Sequence, residues 1–194
     1  MQSRVITSGH PGWRYLDTAD GAPEDWIKPE FDATKWKKGA APLGFGESYV
    51  ATTLEFGDAA NKHPAAFFRL EFSLKKESHE SWAMRAHVDD GAVFYLNGKE
   101  VQRIRMPAGK IKNATRPSTK AGGSSGLEGK FITFEIAPEA LNEGKNVLCV
   151  SVHQADADSS DLVLDVELLG LPALDLVALE KKEQLQAQKV AAAE

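Results

Sequence analysis

Polar residues with the chemistry to contact a ligand stand at the ends of two predicted β-strands. Asp89 and Asp90 precede a glycine where a predicted hairpin begins, and His153 and Gln154 end a later apolar strand. Carboxylate and amide groups suit vicinal hydroxyls because they accept and donate hydrogen bonds in pairs. We expect both strand ends to lie at one end of the fold and to form a site there. The alternative is an ordinary turn, since Asp-Asp-Gly also favours hydrogen bonds to its own backbone.

Aromatic side chains that could stack on a flat ligand are concentrated in the first fifty residues. Phe45 and Tyr49 lie in the glycine-rich segment 43–49, where a mobile ring between glycines is a good stacking candidate. The competing interpretation is that they close the end of the fold. Trp26 and Trp36 are more typical of core anchors.

Acidic pairs suggest a cation site as a second possibility. Asp17 and Asp20 form one pair, and Asp156, Asp158 and Asp161 are spaced somewhat like an oxygen-rich calcium loop. Neither group matches the EF-hand pattern, which needs a central glycine and a glutamate at position twelve. Solvated acidic loops remain the alternative interpretation.

The histidines give a weaker indication of chemistry. The five histidines show no spacing typical of a zinc site. His87 and His153 both face away from the predicted core, so they could serve as an acid and a base. A hydrogen-bonded surface histidine is the alternative. The sequence contains no nucleophile elbow, phosphate loop or dinucleotide fingerprint.

Composition limits the class of protein. The 194 residues carry 28 acidic and 23 basic side chains, for a net charge of −5. This balance argues against nucleic acid as the main partner, because that affinity needs clustered cations. The single cysteine, Cys149, excludes an internal disulfide and is predicted to pack within a strand. No apolar run approaches the roughly 20 residues of a membrane helix. The first residues contain no signal peptide, which leaves the compartment open.

Hydrophobic periodicity predicts an all-β domain over residues 1–170. Apolar residues alternate in 68–74 and 82–88, which is typical of half-buried strands. Asn97-Gly98 between two apolar runs predicts a hairpin with a type I′ turn. Further strands are predicted at 131–136, 146–153 and 162–169. Residues 171–194 have a helical composition and are predicted to form a tail or linker.

Three blocks in this order resemble a known group of sugar-binding domains. They are WRYLD, DW and FDATKW within residues 13–36, VDDGAVFYLNGKEV at 88–101 and LNEGKNVLCVSVHQ at 141–154. Together they resemble the sugar-binding domain of glycoside hydrolase family 2 enzymes and the galactose-binding-like modules attached to large secreted bacterial proteins. The resemblance implies an antiparallel jelly-roll β-sandwich, an extracellular or periplasmic location and a carbohydrate partner. It also implies a possible structural calcium, for which Asp17, Asp20 and Glu167 would be the ligands.

The sequence departs from family 2 enzymes in ways that bear on catalysis. Those enzymes carry their catalytic carboxylates in a separate barrel, and no such barrel is present here. Residues 42–46 also differ from the segment that those enzymes usually have. We therefore expect a non-catalytic carbohydrate-binding module that uses the strand-end residues and Phe45 or Tyr49. One alternative is an assembly module that docks a neighbouring domain or subunit through the C-terminal helix. The other is a jelly-roll lyase or hydrolase.

Overall fold

The fold was obtained as a computed structural model that describes residues 3–76, 81–121 and 129–171. These residues form β-strands and a short 3-10 turn at Pro138–Ala140. In chain order, the strands are β1 (Ser3–Ile6), β2 (Trp13–Leu16), β3 (Lys37–Gly39), β4 (Leu43–Phe45), β5 (Thr52–Thr53), β6 (Gly57–Asp58), β7 (Asn61–Lys62), β8 (Ala65–Leu74), β9 (Ser81–Asp89), β10 (Gly91–Leu96), β11 (Lys99–Ile104), β12 (Ile132–Ile136), β13 (Gly144–His153) and β14 (Leu162–Leu171).

Two six-stranded sheets pack face to face as a β-sandwich. Sheet A has the order β12-β9-β14-β4-β5, and β1 also pairs with β14. Sheet B has the order β11-β10-β13-β8-β2-β3. All neighbours within the two sheets are antiparallel except β4 and β5. The prediction of an all-β, antiparallel fold is therefore confirmed.

The core between the sheets follows from the period of two. In β8, Phe68 and Leu70 are fully buried, whereas Glu71 on the opposite face is exposed. In β9, Trp82 and Met84 face the same core from sheet A. Successive side chains of a strand point to opposite faces, so the apolar set enters the core and the other set faces outward. Truncating a ring such as Phe68 in this layer would cost about 3–5 kcal/mol.

A second apolar cluster covers part of the outer face of sheet B. Trp26 and Trp36 stack with ring centroids 6.2 Å apart, and Trp26 meets Phe67 edge to face at 5.2 Å. Cys149 is buried beneath them, which confirms its predicted place in a strand. Because these rings lie on the face turned away from the main core, the segment before β3 is fixed against sheet B.

The predicted Asn-Gly hairpin joins β10 to β11. Asn97 and Gly98 have φ angles of 51° and 83°, and Leu96 pairs with Lys99 across the turn. Positive φ at both central positions is the requirement that asparagine and glycine meet at lowest cost. The Asn97 side chain also accepts a hydrogen bond from the Val147 amide at 2.9 Å. The turn is therefore anchored to β13 as well as to its own strands.

The predicted helical tail, residues 171–194, lies outside the described residues apart from Leu171, which ends β14. Among the residues that the structure does describe, no helix has the length and apolar character needed to cross a membrane.

Candidate functional site

The two predicted strand ends lie side by side at one end of sheet B. Gly91, at the start of β10, pairs with His153, at the end of β13. One Asp90 carboxylate oxygen accepts a hydrogen bond from the Ala155 amide at 2.8 Å, and the other accepts from the Ala121 amide at 3.0 Å. The structure therefore joins the two segments through Asp90. Both oxygens of this carboxylate are used to hold backbone, which gives Asp90 a structural role.

Gln154 and Asp89 are also buried in this cluster. The Gln154 side-chain amide donates to the His63 carbonyl at 2.5 Å, and its own backbone carbonyl accepts from Arg116 at 3.3 Å. Burial, followed by the negative charges of Asp161 and Asp90, raises the pKa of Asp89 to about 8. Desolvation disfavours the charged form of a carboxyl group. Asp89 is thus a carboxylic acid, rather than a free carboxylate, over much of the neutral range.

His153 faces outward from sheet B and is neutral. Its Nε2 atom lies 3.0 Å from the Ser151 hydroxyl. Burial lowers the pKa of His153 to about 4, and a hydrogen bond to the Thr115 backbone acts in the opposite direction. A buried imidazole loses the water that would stabilise its charged form. At pH 7 the ring can exchange hydrogen bonds with a ligand but brings no positive charge.

A groove of about 530 Å³ runs over this outer face of sheet B. Its floor is formed by Phe67, Tyr95, Ser151 and His153. One wall comes from residues 22–27 and the other from residues 109–113. The volume lies within the roughly 300–1,000 Å³ of small-molecule sites. The floor combines aromatic rings with hydroxyl and imidazole groups, which is the mixture that a sugar ring and its hydroxyls require.

The first wall is held in place by Arg69 of β8. This side chain is fully buried and donates to the Trp26 carbonyl at 3.1 Å and to the Pro29 carbonyl at 2.8 Å. Its guanidinium group also lies over the Phe31 ring, 5.8 Å from the centroid. The planar fork of arginine suits two carbonyls at once. The loop that carries Trp26 is therefore fixed to the sheet below it.

The second wall belongs to the long connection between β11 and β12. Arg103 donates to the Pro107 and Gly109 carbonyls at 2.5 and 2.8 Å and shapes the start of this wall. Two contacts then tie it to the first wall. Lys110 pairs with Glu24 at 2.8 Å, and Asn113 donates to the Ala19 carbonyl at 2.8 Å. The groove is therefore closed in by side chains from distant parts of the sequence.

Sequence reasoning missed most of the groove residues. His153 is the one predicted ligand residue among those that line it. The apolar run before Asn97-Gly98 predicted a strand that contains Tyr95, but such a run does not tell which strands flank it or which loop covers it. A signal was present in residues 101–127, which contain six basic residues and no acidic one.

The predicted stacking residues lie elsewhere. Phe45 is not in a loop: it belongs to β4, is buried in the main core and packs 4.8 Å from the Phe56 ring. Its ring fills the sandwich, so the expectation of a mobile, exposed ring is corrected. Tyr49 is 46% exposed, and its ring lies 5.8 Å from that of His87. The His87 ring lies on the outer face of sheet A, whereas His153 lies on the outer face of sheet B.

This arrangement also separates the two histidines of the proposed acid and base. His87 is in β9, where the residues on both sides of it face the core, and His153 is in β13 of the other sheet. Their side chains point away from each other across the whole sandwich. One active site cannot use both.

The three predicted calcium ligands do not form a cluster. The Asp17 carboxylate contacts the Lys37 ammonium at 3.0 Å and accepts from the Glu55 amide at 2.8 Å. Glu167 lies in sheet A between Arg85 and Arg4. Across residues 3–76, 81–121 and 129–171, no group of three or more His, Cys, Asp or Glu side chains is arranged to hold a metal ion. Asp17 and Glu167 each have cationic partners instead.

The groove does not offer the usual pair of carboxylates for glycoside hydrolysis. Its two acidic residues are Glu24 and Glu100, and each pairs with a cation, Lys110 and Arg103 respectively. The hydrogen bond from Lys110 lowers the pKa of Glu24. A general acid needs the opposite shift so that it still carries its proton near neutral pH. The shift at Glu24 is therefore the reverse of that of a general acid.

Comparison with solved structures gives the fold a context. A β-glucuronidase from Bacteroides uniformis matches 89% of this chain with a TM-score of 0.59 and 18% identity. A β-glucuronidase of glycoside hydrolase family 2 matches 86% with a TM-score of 0.54 and 14% identity, and one from an uncultured Clostridium sp. matches 89% with a TM-score of 0.54 and 16% identity.

This fold occurs within glycoside hydrolase family 2 enzymes. The chain spans only 18%, 17% and 29% of those three enzymes, so it corresponds to a small part of each. The similarity that the sequence blocks predicted is therefore found in the structure. No protein-family model matches the sequence, and no curated protein matches it.

Proposed function

We propose that this chain is a non-catalytic carbohydrate-binding module that accompanies a glycoside hydrolase or a related polysaccharide-processing protein. The observation that carries the proposal is the groove over sheet B, whose floor presents Tyr95 and Phe67 beside Ser151 and His153. Aromatic rings can pack against the apolar face of a sugar, while the hydroxyl and imidazole groups bind its edge. The structural neighbours support the same context, because they are glycoside hydrolases of which this fold is a small part.

The residues predicted from the sequence have different places in this proposal. His153 contributes directly to the floor of the groove. Asp90 and Gln154 lie at the same strand end and hold the neighbouring loops. A contact between sugar and Asp89, Asp90 or Gln154 stays a prediction, as do the structural calcium and the extracellular or periplasmic location.

The test compares two tyrosines. Tyr95→Ala removes a half-buried ring from the groove floor, and Tyr49→Ala removes an exposed ring from the outer face of sheet A. The purified variants are screened on a broad panel of glycans, and binding is quantified by isothermal titration calorimetry. We expect Y95A to lose about tenfold or more in affinity, consistent with about 1–3 kcal/mol for an aromatic contact, and Y49A to bind as the parent does.

The opposite result would place the site on sheet A, around Tyr49 and His87. Because Tyr95 also packs against Trp26 at 5.8 Å, its loss could disturb the fold. Thermal unfolding checks this, and Asn113→Ala repeats the test from the groove wall. Absence of binding across the whole panel would reject the carbohydrate proposal.

One observation favours a second candidate function, the docking of a neighbouring domain. The chain corresponds to about a fifth of each larger Bacteroides uniformis enzyme, so a fold of this kind occurs there beside other parts of the same protein. A docking module would show no glycan binding and would bind a separately expressed neighbouring domain or itself. Sedimentation of the chain with and without residues 172–194 tests the predicted contribution of the tail.

A further inference from the structure

The second half of β11 and the connection that follows it, which forms the second groove wall, are strongly basic. Residues 101–127 contain six cationic side chains and no acidic one, although the whole chain has a net charge of −5. These cations are Arg103, Arg105, Lys110, Lys112, Arg116 and Lys120. Because no acidic residue lies within this stretch, any carboxylate that pairs with these cations must come from another part of the chain.

Five of the six cations have partners within the protein. Three pair with carboxylates: Arg103 with Glu100, Lys110 with Glu24, and Lys120 with Asp156. Two donate to backbone carbonyls: Arg105 to those of Asp90 and Val88, and Arg116 to that of Gln154. Their charges or hydrogen-bonding groups serve to shape the connection.

Lys112 is the exception. Its backbone is fixed by a turn, in which its amide donates to the Thr115 hydroxyl at 2.8 Å and its carbonyl accepts from the Thr115 amide at 2.9 Å. Lys112 is among the residues that line the groove. Within the described part of the chain, its ammonium group makes no hydrogen bond or ion pair. A rigid backbone thus presents a single unpaired cation at the wall.

The charges inside the groove do not cancel. Its lining contains Arg103, Lys110 and Lys112 against Glu24 and Glu100, and both glutamates are already paired with the first two cations. His153 on the floor is neutral at pH 7 because burial lowers its pKa. One positive charge therefore remains, on the wall above the Tyr95 and His153 floor.

We propose that the ligand of this groove is an anionic glycan whose carboxylate or sulfate group is bound by Lys112. This inference rests on the proposed carbohydrate-binding function and specifies its ligand class. A charge-assisted hydrogen bond from an ammonium group to an oxyanion is stronger than one to a neutral hydroxyl. Lys112 therefore favours acidic sugar units over their neutral counterparts. A nucleic acid is a weaker fit, because its affinity depends on clustered cations that neutralise several phosphates, and only one cation of this groove is left without a partner.

The experiment uses pairs of polymers in which the backbone is the same and only one member carries an anionic group. Affinity electrophoresis and calorimetry compare polygalacturonate with its fully methyl-esterified form, and dextran sulfate with dextran. The first pair tests a carboxylate and the second a sulfate, and oligodeoxythymidine serves as the nucleic-acid probe. We expect binding to at least one anionic polymer, loss of that binding in the neutral counterpart, and weakening as salt is raised.

Lys112→Gln and Lys112→Arg test the residue itself. We expect K112Q to weaken binding of the acidic polymer about twofold to fivefold and K112R to retain it, since one exposed ion pair is worth at most about 1 kcal/mol. The matched control is Lys145→Gln. Lys145 is 67% exposed, pairs with Glu71 and stands at the other end of β13, roughly 26 Å from His153.

Each outcome decides the proposal. Equal binding of charged and neutral polymers, or binding of neutral polymers alone, would overturn the anionic ligand and leave the carbohydrate-binding function standing. Silence with every polymer would overturn the anionic ligand, and silence on the broad glycan panel as well would overturn the carbohydrate-binding function. A K112Q variant that binds as K145Q does would place the anion site elsewhere, and preference for oligodeoxythymidine would replace the glycan with a nucleic acid.

Discussion

Replacing Arg69 with alanine should destabilise the protein by about 3 kcal/mol. The variant removes the Arg69 hydrogen bonds to the Trp26 and Pro29 carbonyls, and each hydrogen bond from a charged donor is worth about 1.5–3 kcal/mol. Among the described residues no carboxylate pairs with Arg69, so part of this loss is offset by relief of the cost of burying its charge. We take about 3 kcal/mol as the net result.

The assay is urea unfolding followed by tryptophan fluorescence, with circular dichroism as the second probe. Two of the four tryptophans, Trp26 and Trp36, lie in the cluster that Arg69 supports, so half of the fluorescent residues report on it. Linear extrapolation gives the free energy of unfolding. For a chain of this size the expected change corresponds to a fall in Tm of about 6–12 °C. The fluorescence transition of R69A should also begin before the circular dichroism transition, because the Trp26 loop loses its attachment to sheet B before the sheet itself unfolds.

Arg14 provides a matched control. It pairs with Arg69 in the register of β2 and β8, and it also donates to two loop carbonyls, those of Ala33 and Thr34, at 3.2 and 3.1 Å. These bonds are more exposed, and water can replace them. We expect Arg14→Ala to cost less than about 1 kcal/mol. Equal losses in R14A and R69A, or a loss below about 1 kcal/mol in R69A, would refute the argument from burial.

Three further variants test the strand ends and the hairpin. Asp89→Asn should flatten the pH dependence of urea stability. Since burial raises the folded pKa of Asp89 to about 8, its contribution to stability is complete below about pH 4 and is lost as the pH rises through 8. Asp90→Ala should lower the free energy of unfolding by about 2–4 kcal/mol, because the Ala121 and Ala155 amides lose their acceptor. Asn97→Ala should lower the free energy of unfolding by about 1 kcal/mol more than Asn97→Gly does, because only alanine is strained at a φ of 51°. Its Tm should therefore be the lower of the two.

Each of these variants has an outcome that counts against its premise. A parent protein whose stability rises between about pH 6 and 9 would contradict a raised pKa at Asp89. Loss of glycan binding in D90A with an unchanged Tm would restore Asp90 to the ligand site that the sequence suggested. Equal Tm values for N97A and N97G would show that the side-chain bonds of Asn97, rather than its backbone, set the cost.

The sequence predicted the sandwich much better than the site. Alternation in β8 and β9 and the Asn97-Gly98 turn depend on contacts between near neighbours, so they can be read from a single chain. The closeness of Asp90 and His153 was also anticipated, because both flank strands that meet at one end. The role of Asp90 was not anticipated, because backbone amides from loops far along the chain donate hydrogen bonds to its carboxylate.

The groove escaped prediction for a physical reason. Its walls, residues 22–27 and 109–113, have no periodicity and lie opposite each other only because separate strands of sheet B carry them there. Long-range strand pairing determines which of the two sheets a strand joins, and the alternation of apolar and polar residues does not predict that pairing. Tyr49 and His153 therefore looked like partners in the sequence although the two sheets lie between them.

The ties between the groove walls have a consequence for the energetics of recognition. Lys110 and Glu24 are 86 residues apart, and Asn113 and Ala19 are 94 apart, yet each pair is joined before any ligand arrives. These side chains are thus already ordered in the folded protein. Ordering them on binding would instead weaken the binding free energy by about 0.5–1.5 kcal/mol per immobilised side chain. For the proposed glycan ligand, such a preorganised groove means that binding requires only a small conformational change in the protein.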